Sequence, residues 1–233
     1  MYSWKVRIVL AGTLAAAGCL NFGASAADNS LQAVFTKMDQ AAPKFKGLTA
    51  DIKYVSHEAV IDEDDRNSGT ITVRMPKPHD LHILIDFKSP AKSVEISGTT
   101  VRMFLPNANE IQVYNVGKGH KSEFEQFARL PFGSTSKELQ ESYTVALGGP
   151  ETIDGKATTR IDLTPKSHDM AMQFPKIELW ISDDLGISLQ QKLYQQGKNY
   201  SVATYSNVQL KSNLPEAAVK LNAPGAKTTY VSR

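Results

Sequence analysis

The sequence predicts a mainly β chain with helices (α+β), in which a long antiparallel sheet curls and is covered by helical pieces. Three observations carry this. Apolar residues recur with a period of two over two stretches, Gly47 to Asn115 and Tyr143 to Leu210. Helical spacing occurs near the N-terminus and again between those stretches. Nearly all links between strands are short turns, which favours antiparallel neighbours in chain order. About ten strands in meander order follow, and such a sheet either closes or curls under cover; two separate helical pieces favour the second.

The first 26 residues read as a separate segment. Met1 to Arg7 carries Lys5 and Arg7, Ile8 to Gly18 is uncharged and apolar or small, and Ala24-Ser25-Ala26 closes the run. This is the layout of a secretory signal peptide. Its apolar part is shorter than the about 20 residues a spanning helix needs. Cleavage after Ala26 leaves residues 27–233 as a single domain. The alternative cut falls before Cys19 in Ala16-Ala17-Gly18-Cys19, a lipobox-like run, with Ala16 where a larger aliphatic residue is usual. Cys19 is then a lipidated first residue. Removing 26 residues takes away two of the 26 Lys+Arg and none of the 24 Asp+Glu, so the remainder is formally neutral. A basic chain seeking nucleic acid is not indicated. Without Cys19 no cysteine remains, so one sizeable core must hold the domain without a disulfide.

The first helix is expected over Leu31–Ala42, with Leu31, Val34, Phe35, Met38 and Ala42 on one face, Ser30 as N-cap and Pro43 as stop. Strands follow. Leu48, Ala50, Ile52 and Tyr54 share one face; so do Ile71, Val73 and Met75, and Leu81, Ile83, Ile85 and Phe87. The acidic run Asp62-Glu63-Asp64-Asp65 is read as a loop. SVEIS, TVRMFL and EIQVYNV give shorter strands. Phe124, Phe127 and Leu130 have helical spacing, and Thr135-Ser136-Lys137-Glu138 is a capping-box pattern. One or two short helices are therefore expected between the β halves. Asp154-Gly155 marks a hairpin between Tyr143–Leu147 and Thr158–Leu163. Lys176–Ser182, Ile187–Gln195 and Asn199–Leu210 complete the sheet, and Leu214–Arg233 has little periodicity.

Chemical motifs are sparse. His79 and His82 are three apart, which on a strand puts them on opposite faces, unsuited to one metal. The acidic run lacks the glycine and distal glutamate of a calcium loop. There is no Gly-x-Ser-x-Gly elbow, no phosphate-cradling loop and no evident carboxylate pair. No catalytic residue, cofactor or metal is assigned. Lys118-Gly119-His120-Lys121 reads as a loop. Met38, Met75, Met103 and Met170 suit an adaptable apolar lining.

The order of these elements resembles the LolA/LolB superfamily of outer-membrane lipoprotein carrier (lipoprotein-sorting) proteins. The resemblance rests on the first helix, on GTITVRMPKPHDLHILID and VEISGTTVRMFLPNANEIQVY, and on LGGPETIDGKATTRIDLTPK and IELWISDDLGISLQQ. It covers nearly all of residues 27–233. It implies an unclosed β-barrel with a helical lid around a hydrophobic cavity for lipoprotein acyl chains. It also implies a monomeric, non-enzymatic carrier in the periplasm, loaded by an inner-membrane donor complex and relieved by an outer-membrane acceptor. With Cys19 lipidated, the same scaffold would be a membrane-anchored acceptor or a lipid-sensing regulator. On this resemblance the cavity residues are Ile71, Val73, Met75, Leu81, Ile83, Ile85, Val101 and Met103, and the lid residues Phe35, Met38, Phe124 and Phe127. One departure stands out. The family pattern puts an inward arginine immediately before the strand-ending proline, holding the lid shut. Here Met75 precedes Pro76, and Arg74 is expected to face outward.

Overall fold

A computed structural model describes residues 22–117 and 121–231. The chain begins with α1 (Phe22–Ala41) and a 3-10 turn, Ala42–Lys44. The first β half holds β1 (Gly47–Glu58), β2 (Glu63–Arg74), β3 (His82–Lys88), β4 (Ala91–Ser97), β5 (Thr100–Leu105) and β6 (Glu110–Asn115). Then come α2 (Lys121–Arg129) and α3 (Ser136–Ser142). The second half holds β7 (Tyr143–Ile153), β8 (Lys156–Pro165), α4 (His168–Gln173), β9 (Lys176–Ser182), β10 (Ser188–Tyr194) and β11 (Tyr200–Leu210). β12 (Lys227–Val231) ends the described chain.

The strands form one twelve-stranded sheet in the order β12-β6-β5-β4-β3-β2-β1-β11-β10-β9-β8-β7. Two antiparallel meanders meet where β1 pairs with β11, with Ile52 opposite Tyr205 and His57 opposite Tyr200. β7 and β12 lie at opposite ends of that order, so the barrel is unclosed. This is the expected curled sheet with helical cover.

Several details differ from the sequence reading. α1 begins at Phe22, so Ser30 lies inside it and is not its N-cap. Ala24, Ala26 and Ala27 favour helix and no proline interrupts them, so propensity carries the helix through Ser30. The acidic run is mostly strand. Only Asp62 sits in the turn, at φ 54°, while Glu63, Asp64 and Asp65 pair with Glu58, His57 and Ser56. Their charges are tolerated because this end of the hairpin is exposed, and Asp64 takes partners in His57 (2.9 Å) and Arg66 (2.6 Å). α4 and β12 were not expected from periodicity. α4 is a six-residue turn of helix capped by Ser167. β12 is held to β6 by parallel backbone pairing, which a one-strand pattern does not announce. Cys19 and the segment around it, and Lys118 to His120, lie outside the described residues.

Two apolar clusters fill the concave face. The first joins Leu48, Ile52, Ile71, Val73, Met75 and Ile83 to Phe45, Phe132 and Tyr205. The second packs Val34, Phe35 and Met38 of α1, with Leu130 and Leu139, onto Ile161, Leu163, Ile177 and Leu179. A third group lies on the convex face, where Leu221 of the C-terminal tail covers Ile111 and Val113.

Candidate functional site

The strand register decides which side chains share the concave face. Ile83 of β3 lies opposite Ile96, which lies opposite Val101. Ile85 lies opposite Val94, which lies opposite Met103. Paired residues in antiparallel strands point to the same side. These six therefore form an apolar strip that continues outward from the first cluster. Ile83 is buried within the cluster, but the other five are only half-buried. Tyr54 and Phe87 extend the strip across β1 and β3, their rings 6.0 Å apart, with Lys92 over Phe87 at 5.3 Å.

The eight residues expected to line a cavity thus divide. Ile71, Val73, Met75, Leu81 and Ile83 pack in the first cluster. Ile85, Val101 and Met103 sit on the half-buried strip, together with Val94 and Ile96. The last two were missed by the sequence reading, although the alternation in SVEIS puts them on one face. Tyr54 and Phe87 were recognised as strand residues but not as part of a site.

The expected lid residues divide as well. Phe35 and Met38 are buried against β8 and β9 in the second cluster, not above β3–β5. Phe127 joins that cluster and stacks on Phe174 with ring centroids 5.0 Å apart. Phe124, one turn earlier on α2, is half-buried and belongs to neither cluster. Ala128 of the same helix packs on the first cluster. α2 therefore bridges the two clusters.

The α2–α3 segment is tied down by polar contacts. Thr135 caps α3 with a full capping box, its Oγ1 accepting from the Glu138 amide and the Glu138 carboxylate accepting from the Thr135 amide. Glu138 also takes Arg129 of α2 at 3.2 Å and His79 of the β2–β3 turn at 3.1 Å. Arg129 is buried, and its Nε has no hydrogen-bond partner among the described residues. Asp39 of α1 accepts from both the amide and the hydroxyl of Ser136.

Met75 is the residue before Pro76, where the resemblance leads to the expectation of an arginine. It is buried beside Phe45 and Gly133, on the loop between α2 and α3. Arg74 points the other way, its Nε donating to the Leu214 carbonyl at 2.9 Å. The contact Met75 makes there is apolar. His82 lies between Asp80 (2.8 Å) and Ser97 (3.0 Å), while His79 reaches Glu138. Their separate partners follow from the turn between them.

Taken together, the fold and this face define a class: an open, curled sheet whose concave side is apolar and only partly covered by helices. No protein-family model matches the chain, and no curated protein matches it. Solved structures do. An uncharacterized conserved protein from Thermus thermophilus is 12% identical, over 87% of this chain and 99% of its own, with a TM-score of 0.54. MucB is 11% identical over 86% of this chain, with a TM-score of 0.52; the chain spans 64% of MucB's length. A LolA superfamily protein from Nitrosomonas europaea is 12% identical over 82% of this chain and 97% of its own, with a TM-score of 0.39. The first two of these matches are likenesses of fold.

Proposed function

We propose that this chain is a carrier that shields acyl chains of lipoproteins or lipids on the concave face of its sheet, in the periplasm. The observation that supports this is the half-buried strip Val94, Ile96, Val101 and Met103, an apolar surface continuous with the core and incompletely covered by α2. Each methylene taken from water is worth about 0.8 kcal/mol, so a chain of a dozen carbons laid on such a strip is held by several kcal/mol. A carrier must also release, and a strip open on one side holds less tightly than an enclosed cavity. On this reading no covalent chemistry takes place, and the partners are acylated proteins or lipids, with a donor at the inner membrane and an acceptor at the outer one.

The test has two parts. Lipid extracted from the chain purified from its exported form, and identified by mass spectrometry, is expected to be an acylated species. Val101→Asp and Met103→Asp, at half-buried positions that tolerate a charge, are expected to weaken binding of a fluorescent acyl probe at least tenfold while the fold is retained. Unchanged affinity in the folded variants overturns the placement of the site. Intact mass of the exported chain decides between the soluble carrier and an acceptor anchored through Cys19.

A further inference from the structure

A recess of about 560 Å³ lies away from the concave strip. It is bounded by the C-terminal end of α1, the 3-10 turn after it, the β9–β10 turn and the junction of β1 with the end of β11. Its apolar part is supplied by Ala41, Phe45, Leu185, Ile187 and Leu210. Leu210 is 52% exposed. None of the strip residues Val94, Ile96, Val101 and Met103 lines this recess.

Its rim is cationic. Lys37, Lys44, Lys46 and Lys211 stand around it against Asp183 and Asp184. Lys37 is neutralised by Asp183 at 2.9 Å. Lys211 donates to a neutral partner, Gln209, at 2.8 Å. Lys44 and Lys46 are exposed and have no anionic partner among the described residues; they flank the buried Phe45, so one residue inserts into the core while its neighbours crown the opening. Three lysines without an anionic partner against the one remaining aspartate leave the rim at +2. Two glycines let the walls of the recess approach their neighbours closely. At Gly186 (φ 65°) a Cβ would lie 2.5 Å from the Lys37 carbonyl, and at Gly47 2.4 Å from the Val73 carbonyl.

The geometry points to a binding site for a single-chain anionic amphiphile, its carboxylate or phosphate head between Lys44, Lys46 and Lys211 and its alkyl part over Leu210 and Leu185. Charge sets the sign of the head, because an anion removes the uncompensated positive potential of the rim, whereas a cationic head adds to it. The apolar floor requires an alkyl part, because an inorganic anion would leave Leu210 in water. The site stands apart from the carrier reading of the concave face, since the two surfaces share none of the residues named for binding.

Calorimetric titration of the chain with monomeric dodecanoate tests this, against dodecyltrimethylammonium and inorganic phosphate. With the concave strip disabled by Met103→Asp, dodecanoate is expected to bind one-to-one, with the cationic analogue and phosphate at least tenfold weaker. The double variant Lys44→Glu/Lys46→Glu is expected to lose about tenfold or more in affinity, the size of a tenfold step being about 1.4 kcal/mol. In the same background, Leu210→Asn is expected to weaken dodecanoate as well. Both lysines are exposed, so the charge reversal spares the fold, and Lys44→Gln/Lys46→Gln gives the same reading without added negative charge. Equal binding of the two dodecyl compounds, undiminished binding in the lysine variants, or loss of dodecanoate binding in the Met103→Asp background itself overturns the proposal. Sedimentation with vesicles of anionic phospholipid separates the sources: capture by vesicles with no affinity for dodecanoate marks a surface attraction to membranes and also overturns it.

Discussion

Met75 and Gly133 show how a single contact holds a covering segment. Gly133 has φ 81°, and a Cβ there would meet the Met75 Cε at 2.8 Å. Gly133→Ala is expected to destabilise the fold by about 1–2 kcal/mol, from backbone strain with a smaller steric share, as read by urea unfolding. Met75→Arg places a guanidinium at a position lined by Phe45 and other apolar groups. It is expected to lose about 3 kcal/mol or more, because an unpaired guanidinium is costly to bury among apolar groups. Tyr143 gives a prediction about pH. Burial, with the Glu123 charge adding to it, pushes its hydroxyl up to about 12 from an ordinary value of 10.0. The folded state therefore holds this proton more tightly than the unfolded one. The stability it contributes is complete below about pH 10 and is lost as pH rises from about 10 towards 12, at about 1.4 kcal/mol per pH unit. Comparing Tyr143→Phe with the unaltered chain across that window is expected to show a flatter decline in the variant. Burial raises the Tyr205 hydroxyl as well.

Among the elements, α1 and α3 are positioned by different means. α3 is short and depends on its ends. Thr135→Ala removes the capping box and is expected to weaken the fold by about 1 kcal/mol. It also releases the Glu138 carboxylate that holds Arg129 and His79. α1 is long and depends on packing. Val34, Phe35 and Met38 are buried on the second half of the sheet, and the β9–β10 turn fits against its backbone at Gly186. Gly186→Ala sets a Cβ against the Lys37 carbonyl in a left-handed backbone, and a loss above about 2 kcal/mol is expected in thermal or urea unfolding. The capping box was legible in the sequence because it is a local pattern of four residues. The start of α1 was not, because Ser30 also fits inside a helix when the residues before it are alanine-rich.

At the scale of the whole molecule, the seam between β1 and β11 makes one sheet of two meanders. Tyr205 sits at that seam, buried and tilted against Phe132 at 4.9 Å. Tyr205→Ala leaves a large cavity there and is expected to lose about 3–5 kcal/mol. In the chain cut after Ala26, Trp180 of β9 is the one tryptophan. Its fluorescence and the far-ultraviolet circular dichroism are expected to report the same lowered midpoint, because the seam ties both halves into one transition. Separate midpoints would show that the meanders unfold independently. The open edges are a property of this scale too. β7 and β12 end the sheet apart, and the concave face is left for helices to cover.

By itself the sequence determined the class of fold, the faces of most strands, the two helical regions and the Asp154-Gly155 hairpin. These depend on periodicity and on turn or cap residues that act within a few positions of themselves. Only the tertiary structure decided which apolar faces become core and which stay half-open. Ile83 and Val101 look alike in the sequence and lie on one face of the sheet. Ile83 is closed in by the cluster around Phe45 and Phe132, while Val101 lies farther out on the face and remains half-buried. The same holds for the lysines about Phe45. Alternation explains one buried ring between two exposed charges, but only the arrival of the β9–β10 turn and of Leu210 makes a recess of them. Burial depends on what distant segments bring to a face, and a local pattern carries no record of that.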